Sequence, residues 1–186
     1  MSAIISLTET GVFTALVSAL GTFGMVSAVG APIPIIRGQV NRVPEPQALD
    51  YLVMWPLLRA RLATNTDTYF NPTGHPELST ESITQPTEIV IQCDVHGPSS
   101  ADNAARLATL WRDQFGCEAF QNIPAAITPL YADDPKQIPF ENGEQQTEER
   151  WVVDIHMQAN IAVTVSQQFA DQLQITIEAV EAAFPA

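Results

Sequence analysis

Two segments of strict apolar–polar alternation constrain the fold more than any other feature of this sequence. Glu88–His96 and Arg150–Val163 each place apolar side chains on one side of an extended chain and polar side chains on the other. A period of two residues is typical of a strand with one buried face, and it does not form the apolar stripe of a helix. We therefore predict two long strands in a mostly antiparallel sheet, whose second face is wet or covered by another subunit.

Shorter patterns predict the remaining strands. Asp50–Trp55 is a continuous apolar run, which is typical of a strand buried on both faces. After Pro56, the threonine-rich alternation of Leu58–Tyr69 predicts a strand that runs outward from the core, and Ile127–Tyr131 predicts a short strand. At the end of the chain, the periodicity of Ile175–Val180 fits either a last strand or the end of a helix.

Two helices are predicted to pack on this sheet. Val12–Val26 has apolar residues at helical spacing, and Thr8 offers an N-cap. A second helix is predicted over Ser100–Phe115, with Gly116 as its stop. Together these elements predict an α+β fold, in which a mostly antiparallel sheet carries two main helices on one face.

The length of the chain predicts a single domain with a core of its own. We expect an N-terminal helix within residues 1–30, a proline-rich arm over 31–49 and the α+β domain over 50–186. The four prolines of residues 31–49 favour an extended connector. The uncharged run 12–29 lacks a basic flank and contains several polar residues and glycines, so a signal peptide is the minor alternative and a membrane span fits poorly.

Composition limits what this chain can bind. Its 186 residues carry 21 acidic and 8 basic side chains, for a formal net charge of −13. A protein that grips nucleic acid through the phosphates needs a basic face, so this mode of binding is excluded. Cys93 and Cys117 do not make a disulfide framework, and we predict that both are free, as in a reducing cytosol.

One pattern of residues could carry chemistry. Asp94 and His96 alternate on one predicted strand, and Asp154 and His156 alternate on the other. If the strands pair in register, the four side chains converge within about 5–7 Å and could hold a divalent metal or form an acid–base pair. Because no nucleophile or pocket signal accompanies them, we favour ordinary polar alternates that hydrogen-bond across the ladder or meet an interface. We therefore predict no catalytic, metal or cofactor-binding residue and no cofactor.

Charge is distributed unevenly along the chain. Residues 1–70 hold four acids and four arginines, so the whole acidic surplus lies in residues 71–186. Arg59 and Arg61 share one face of a strand, and they could pair with acids of their own chain or with a neighbouring copy. The second pairing favours head-to-tail association, which closes into a ring when the rotation permits. The loop Tyr131–Gln146 fits either an ordinary surface loop or a docking loop. The candidate interface residues are Arg59, Arg61, Tyr131, Asp133, Asp134 and Phe140.

Four stretches of the sequence resemble a family of tailed-bacteriophage proteins, the neck or tail terminator proteins. The similarity spans about residues 48–184 and is specific as a set. The stretches are YLVMWPLLRARLATNTDTY (51–69), VHGPSSADNA (95–104), PLYADDPKQIPFENGEQQTEERW (129–151) and VDIHMQANIAVTVSQQFAD (153–171).

The resemblance implies a structural virion protein and not an enzyme. Such subunits are α+β proteins that assemble as a ring, usually a homohexamer, which caps the tail tube and joins it to the head-completion, or neck connector, proteins. Genomic DNA would pass through an acidic lumen without specific binding, because like charges repel. The resemblance also implies assembly in the bacterial cytoplasm, a place in the tail or neck of the virion, and no membrane. Two alternatives stay open: a metal-dependent or acid–base enzyme that uses Asp94, His96, Asp154 and His156, and an acidic monomeric binding module.

Overall fold

The computed structural model describes residues 3–38, 46–123, 126–141 and 147–167. The helices are α1 (Glu9–Gly21), α2 (Ser100–Trp111) and α3 (Gln114–Gln121), with a 3₁₀ turn at Pro76–Leu78. The strands are β1 (Ile4–Ile5), β2 (Ile35–Arg37), β3 (Tyr51–Arg61), β4 (Thr66–Phe70), β5 (Thr80–His96), β6 (Ile127–Ala132), β7 (Lys136–Gln137), β8 (Phe140–Glu141), β9 (Thr147–Glu148) and β10 (Arg150–Ser166).

The two long alternating segments form strands, as predicted, and these two strands lie at the centre of the sheet. β5 and β10 are 17 residues each and pair antiparallel along their whole length, from Thr80 opposite Ser166 to His96 opposite Arg150. β3 and β4 pair with β5, while β1, β6 and β7 pair with the other edge of β10. The sheet is mixed, because β2 runs parallel to β3. The expected antiparallel arrangement therefore holds for the other described pairs and fails at this edge.

The described part of the chain has three helices, so the prediction of two main helices is not confirmed. The predicted helix Ser100–Phe115 is divided, since α2 ends at Trp111 and α3 begins at Gln114. Gly116, predicted to stop the helix, lies inside α3. A Cβ at that position would come within 2.8 Å of the carbonyl oxygen of Leu110. The glycine therefore permits a close approach of α3 to the end of α2.

The N-terminal helix is shorter than its apolar pattern. Thr8 caps α1 as predicted, because its hydroxyl oxygen accepts a hydrogen bond from the Gly11 backbone N–H at 3.1 Å. The helix ends at Gly21, and Val17 on its outer side is 42% exposed. In the described part of the chain, no helix has the length and apolar character needed to cross a membrane.

The core lies between one face of the sheet and the helix layer formed by α1, α2 and α3. Between Ile89 and Val95 of β5, and between Val153 and Ala159 of β10, the helix-facing residues are at most 1% exposed, which confirms the face that alternation predicted. Cys93 is one of them, and both cysteines are free, Cys93 buried and Cys117 exposed. The fully buried helix-facing residues of these strands are Ile89, Ile91, Cys93, Val95, Val153, Ile155, Met157 and Ala159.

The sheet continues beyond the helix layer. β5 begins at Thr80 and not at Glu88, and β3 passes Pro56 with a bulge before Leu58. The predicted strand Leu58–Tyr69 is consequently divided between β3 and β4. We call this outer part the sheet extension; it comprises β1, β4 and residues 58–61, 80–87 and 160–166.

Some expectations fall outside the described residues. The proline-rich arm over 31–49 includes β2, but residues 39–45 are not described. The final element predicted at Ile175–Val180 also lies outside the described residues. The division of the chain at residues 30 and 49 stays a prediction.

Candidate functional site

The polar face is the face of β5 and β10 that points away from the helix layer. Its end at the C-terminus of β5 is buried inside this subunit, since Asp94 is 3% and His96 is 6% exposed. The sequence predicted that this face is exposed to solvent or covered by another subunit, and at this end the subunit covers it itself. The ionisable residues of the polar face are Glu88, Asp94, His96, Arg150, Asp154 and His156.

The register keeps the two Asp–His pairs of the polar face apart. The strands are neighbours, but Asp94 does not lie opposite Asp154, and His96 does not lie opposite His156. Among the described residues, no group of three or more His, Cys, Asp or Glu side chains is placed to hold a metal ion. The pairs that do lie opposite one another are Asp94 and Val152, His96 and Arg150, Asp154 and Gln92, and His156 and Val90.

Asp94 makes a buried ion pair. Arg150 donates to its Oδ2 at 2.6 Å, and the side-chain amide of Gln92 donates to its Oδ1 at 2.7 Å. The side chains of Asp94 and Arg150 are 4% and 20% exposed. Two donors thus compensate the carboxylate for its lost hydration, which is the arrangement of a structural pair.

His96 is held between an aromatic ring and a carboxylate. Its ring stacks on Tyr51 with centroids 4.6 Å apart, and its Nδ1 lies 3.4 Å from Glu148 Oε1. Burial lowers the pKa of His96 below the ordinary histidine value, although the nearby Glu148 opposes this shift. His96 therefore packs as a mainly neutral ring.

His156 and Tyr131 form a second stacked pair on the polar face. Their ring centroids are 4.0 Å apart, and the Tyr131 hydroxyl donates to Glu88 Oε1 at 3.2 Å. His156 Nδ1 lies 2.8 Å from the same carboxylate oxygen. Burial and the adjacent Glu88 carboxylate raise the pKa of Tyr131. Tyr131 remains 47% exposed, so part of its side chain is available to another molecule.

Asp133 and Asp134 follow β6 at the edge of the polar face. The Asp133 backbone N–H donates to the Asp154 carbonyl oxygen at 2.8 Å. Asp134 accepts a hydrogen bond from Arg112 at 2.8 Å, and this guanidinium lowers the pKa of Asp134. Phe140 lies in β8, opposite Glu148.

Asp154 has the least compensated carboxylate of the polar face. Its Oδ1 is buried and has no hydrogen-bond partner among the described residues. Burial, assisted by the negative charge of Asp133, raises the pKa of Asp154. A strongly compensated acid therefore lies at Asp94, and a poorly compensated one at Asp154.

Arg59 and Arg61 lie on the other face of the sheet, away from the polar face. They stand opposite Ile89 and Thr87 of β5, on the helix-facing side, and both are exposed. No ion pair involves either arginine within the described ranges. With neighbouring residues of the sheet extension they line an open groove of about 330 Å³, which we call the arginine groove. Its lining residues are Arg59, Arg61, Asn65, Ile83, Gln85, Thr87, Ile161 and Val163.

The predicted interface residues therefore lie in different places. Arg59 and Arg61 are in the arginine groove, whereas Tyr131 is on the polar face and Asp133 and Asp134 are at its edge. Phe140 lies in the separate β8–β9 pair. The apolar half of the arginine groove was missed in the sequence, because β5 was expected to begin at Glu88. Continuing the alternation of Ile89 back to Ile83 would have revealed it. The Asp94–Arg150 pair was missed because it depends on strand register.

A family model described as phage neck terminator protein matches residues 11–181. The matched range contains every residue of the polar face and of the arginine groove. No curated protein matches the chain.

Proposed function

Because the chain belongs to the phage neck terminator family, we propose that it forms a ring at the end of the tail tube. The resemblance found in the sequence is confirmed at the level of the family, which comprises structural proteins of the virion tail and neck that associate with other phage proteins. The finer proposal is a homohexameric ring that caps the tube and joins it to the head-completion, or neck connector, proteins. The family match carries this proposal.

The arginine groove supports a head-to-tail contact between copies. Such a contact joins two different patches of the same subunit, and a closing rotation then gives a ring. The arginine groove supplies positive charge on a chain whose net charge is −13. Arg59 and Arg61 would therefore meet the acidic part of the next copy, where a local attraction opposes the repulsion between the chains.

The second surface suits a different partner. We propose that it comprises Tyr131, Asp133, Asp134 and Phe140. Asp134 is 87% exposed, and Arg112 binds its carboxylate. A half-exposed aromatic ring beside anchored carboxylates is suited to protein contacts. We assign this surface to the tail tube or the neck connector.

A ring of such acidic subunits also suits the passage of DNA. A lumen lined by carboxylates repels phosphates, so the duplex moves through without being bound. Free cysteines are compatible with assembly in the bacterial cytoplasm before the virion is released.

Labelling of purified virions tests the location. An antibody against the chain should decorate particles at the head–tail junction, and cross-linked virions should yield a hexamer of the chain. Absence of the chain from virions would contradict the proposal. Turnover of a substrate would support the enzyme alternative, and a chain that stays a monomer on tails would support the monomeric binding module.

A matched pair of variants tests the ring contact. Arg61→Glu should reduce ring formation on isolated tails, because it reverses a charge in the arginine groove. Arg106→Glu makes the same charge change on α2, outside the groove. It also removes a hydrogen bond to the Gly24 carbonyl oxygen, so its folding is checked by urea unfolding, and the folded variant should assemble like the parent. Equal assembly of the two variants would exclude Arg61 from the contact.

A further inference from the structure

The arginine groove is an apolar surface that the helix layer leaves uncovered. The same sheet face is buried at Ile89 and Ala159, which are 1% and 0% exposed. Beyond them, Ile83, Ile161 and Val163 are only partly buried, although they continue the core face. The guanidinium groups stand on β3, at one edge of this apolar floor. The groove therefore suits an occupant with an apolar stripe flanked on one side by acids.

The C-terminal segment, residues 168–186, has this character. It contains three acidic residues and no basic residue. Its apolar residues recur at the spacing of one helix face, and at about 100° per residue the three acids all fall to one side of that stripe. A helix seated by the stripe would present its acids to one edge of the groove. The stripe consists of Phe169, Leu173, Ile177, Val180 and Phe184, and the acids are Asp171, Glu178 and Glu181.

We propose that the arginine groove of each copy binds the C-terminal segment of a neighbouring copy. This inference rests on the proposed ring and identifies one contact within it. Each subunit would donate its segment to one neighbour and receive a segment from the other, as a head-to-tail contact requires.

The direction of β10 favours the neighbour over the same chain. At the last described residue, the Gln167 backbone N–H donates to the Ser79 carbonyl oxygen at 3.0 Å. The chain is thus still heading outward, past the groove residue Val163. Between Ser166 and Phe184 the sequence has no glycine or proline, and Asp171 is the one residue of the types that dominate turns. As a helix, the segment would be about 28 Å long, at about 1.5 Å per residue, which is enough to reach an adjacent subunit.

Single cysteines in separate chains test the exchange directly. In a Cys117→Ser background, one tagged chain carries Gln85→Cys in the groove and a second chain carries Val180→Cys in the segment. Both are co-expressed, assembled on isolated tails and treated with a short bismaleimide. The matched control replaces Gln85→Cys with Thr84→Cys, the adjacent residue on the opposite face of β5.

We expect a cross-linked product of the two different chains, with about tenfold more from the Gln85 variant than from the Thr84 control, which corresponds to about 1.4 kcal/mol. Equal yields from the two positions would overturn the inference. So would no product at all. A chain that carries both cysteines distinguishes exchange between copies from binding within one copy. A product formed only within one chain would assign the groove to the same subunit's own segment and would overturn the inference.

Truncation separates this inference from the proposed function. A chain that ends at Gln167 should fold, because the described core lies before that residue, but it should no longer form rings on tails. If the truncated chain forms rings as the full chain does, the inference fails and the proposed function stands. If the full chain forms no ring on tails, the proposed function itself fails.

Discussion

Replacement of Arg150 by methionine tests whether the polar face is a structural element. Asp94 would keep only the Gln92 amide as a described donor, while its side chain is 4% exposed. Removing one partner of a buried pair costs about 3–5 kcal/mol, because the other charge stays buried without compensation. Arg150 is 20% exposed, so water offsets part of this cost. We expect a loss of about 3 kcal/mol in unfolding free energy, at the lower end of that range.

The measurement is urea unfolding at neutral pH, together with a thermal scan. For a chain of this size the loss corresponds to a fall in Tm of roughly 6–12 °C. Lys136→Met is the matched control, since it removes one positive charge from an exposed pair with Asp133, whose atoms lie 3.9 Å apart. Such exposed pairs contribute about 0–1 kcal/mol.

A double variant separates uncompensated charge from lost packing. Asp94→Asn in the Arg150→Met background removes the buried negative charge, and we expect it to recover about half of the lost stability. The reasoning is refuted if Arg150→Met unfolds like Lys136→Met. It is also refuted if the double variant is no more stable than Arg150→Met alone, because the defect would then not be electrostatic.

Three further substitutions probe the backbone, the core and the pH dependence. Gly97→Ala should lower the unfolding free energy by more than about 1 kcal/mol, because Gly97 has a φ of +98° and a Cβ there would lie 2.2 Å from a carbonyl oxygen. Gly74 has a φ of +80° but lies in open space, so Gly74→Ala should lower the unfolding free energy less; urea unfolding measures both. Leu16→Ala should cost about 2–5 kcal/mol, since Leu16 is 0% exposed, whereas Val17→Ala at a 42% exposed site should change the melting temperature little. Burial lowers the pKa of His96 below 6.5, so protons bind the unfolded chain more readily and stability should fall as the pH drops through 6.5. In His96→Phe this slope, measured by unfolding between about pH 7.5 and pH 5.5, should flatten; an unchanged slope would assign it to other groups.

Alternation predicted which face each residue occupies, but it could not predict the register. A slip of one residue between β5 and β10 would move every side chain to the wrong face, and the apolar pattern forbids it. A slip of two residues keeps every side chain on its face, so the pattern does not distinguish the two arrangements. The sequence-based hypothesis that Asp94 and Asp154 converge depended on the register of the two strands, which the pattern does not determine. Placing two carboxylates opposite one another would also be unfavourable.

The edges and ends of elements were less predictable for local reasons. β2 has three residues and lies among prolines, so neither its existence nor its parallel pairing with β3 has a periodic signal. The break between α2 and α3 did have a local signal in the sequence, the capping residue Asp113. Asp113 accepts a hydrogen bond from the Phe115 backbone N–H at 3.1 Å, as an N-cap does. The prediction relied on Gly116 as the stop signal and therefore placed the end of the helix at Phe115, although α2 ends at Trp111.

Uneven burial along the sheet separates the part that folds the subunit from the part that is free to assemble. The helix layer buries the inner halves of β5 and β10, whereas the sheet extension leaves apolar side chains exposed on both faces. Tyr69, opposite Glu81, is 56% exposed on the helix-facing side, and Phe70, opposite Thr80, is 63% exposed on the other. The backbone hydrogen bonds of the sheet extension are made, but it contributes little apolar burial to the isolated chain. Association with a neighbour would bury that surface. Substitutions of exposed residues in the sheet extension should therefore weaken assembly while changing the unfolding free energy of the isolated chain by no more than about 0.5 kcal/mol. Core substitutions under the helix layer should do the reverse.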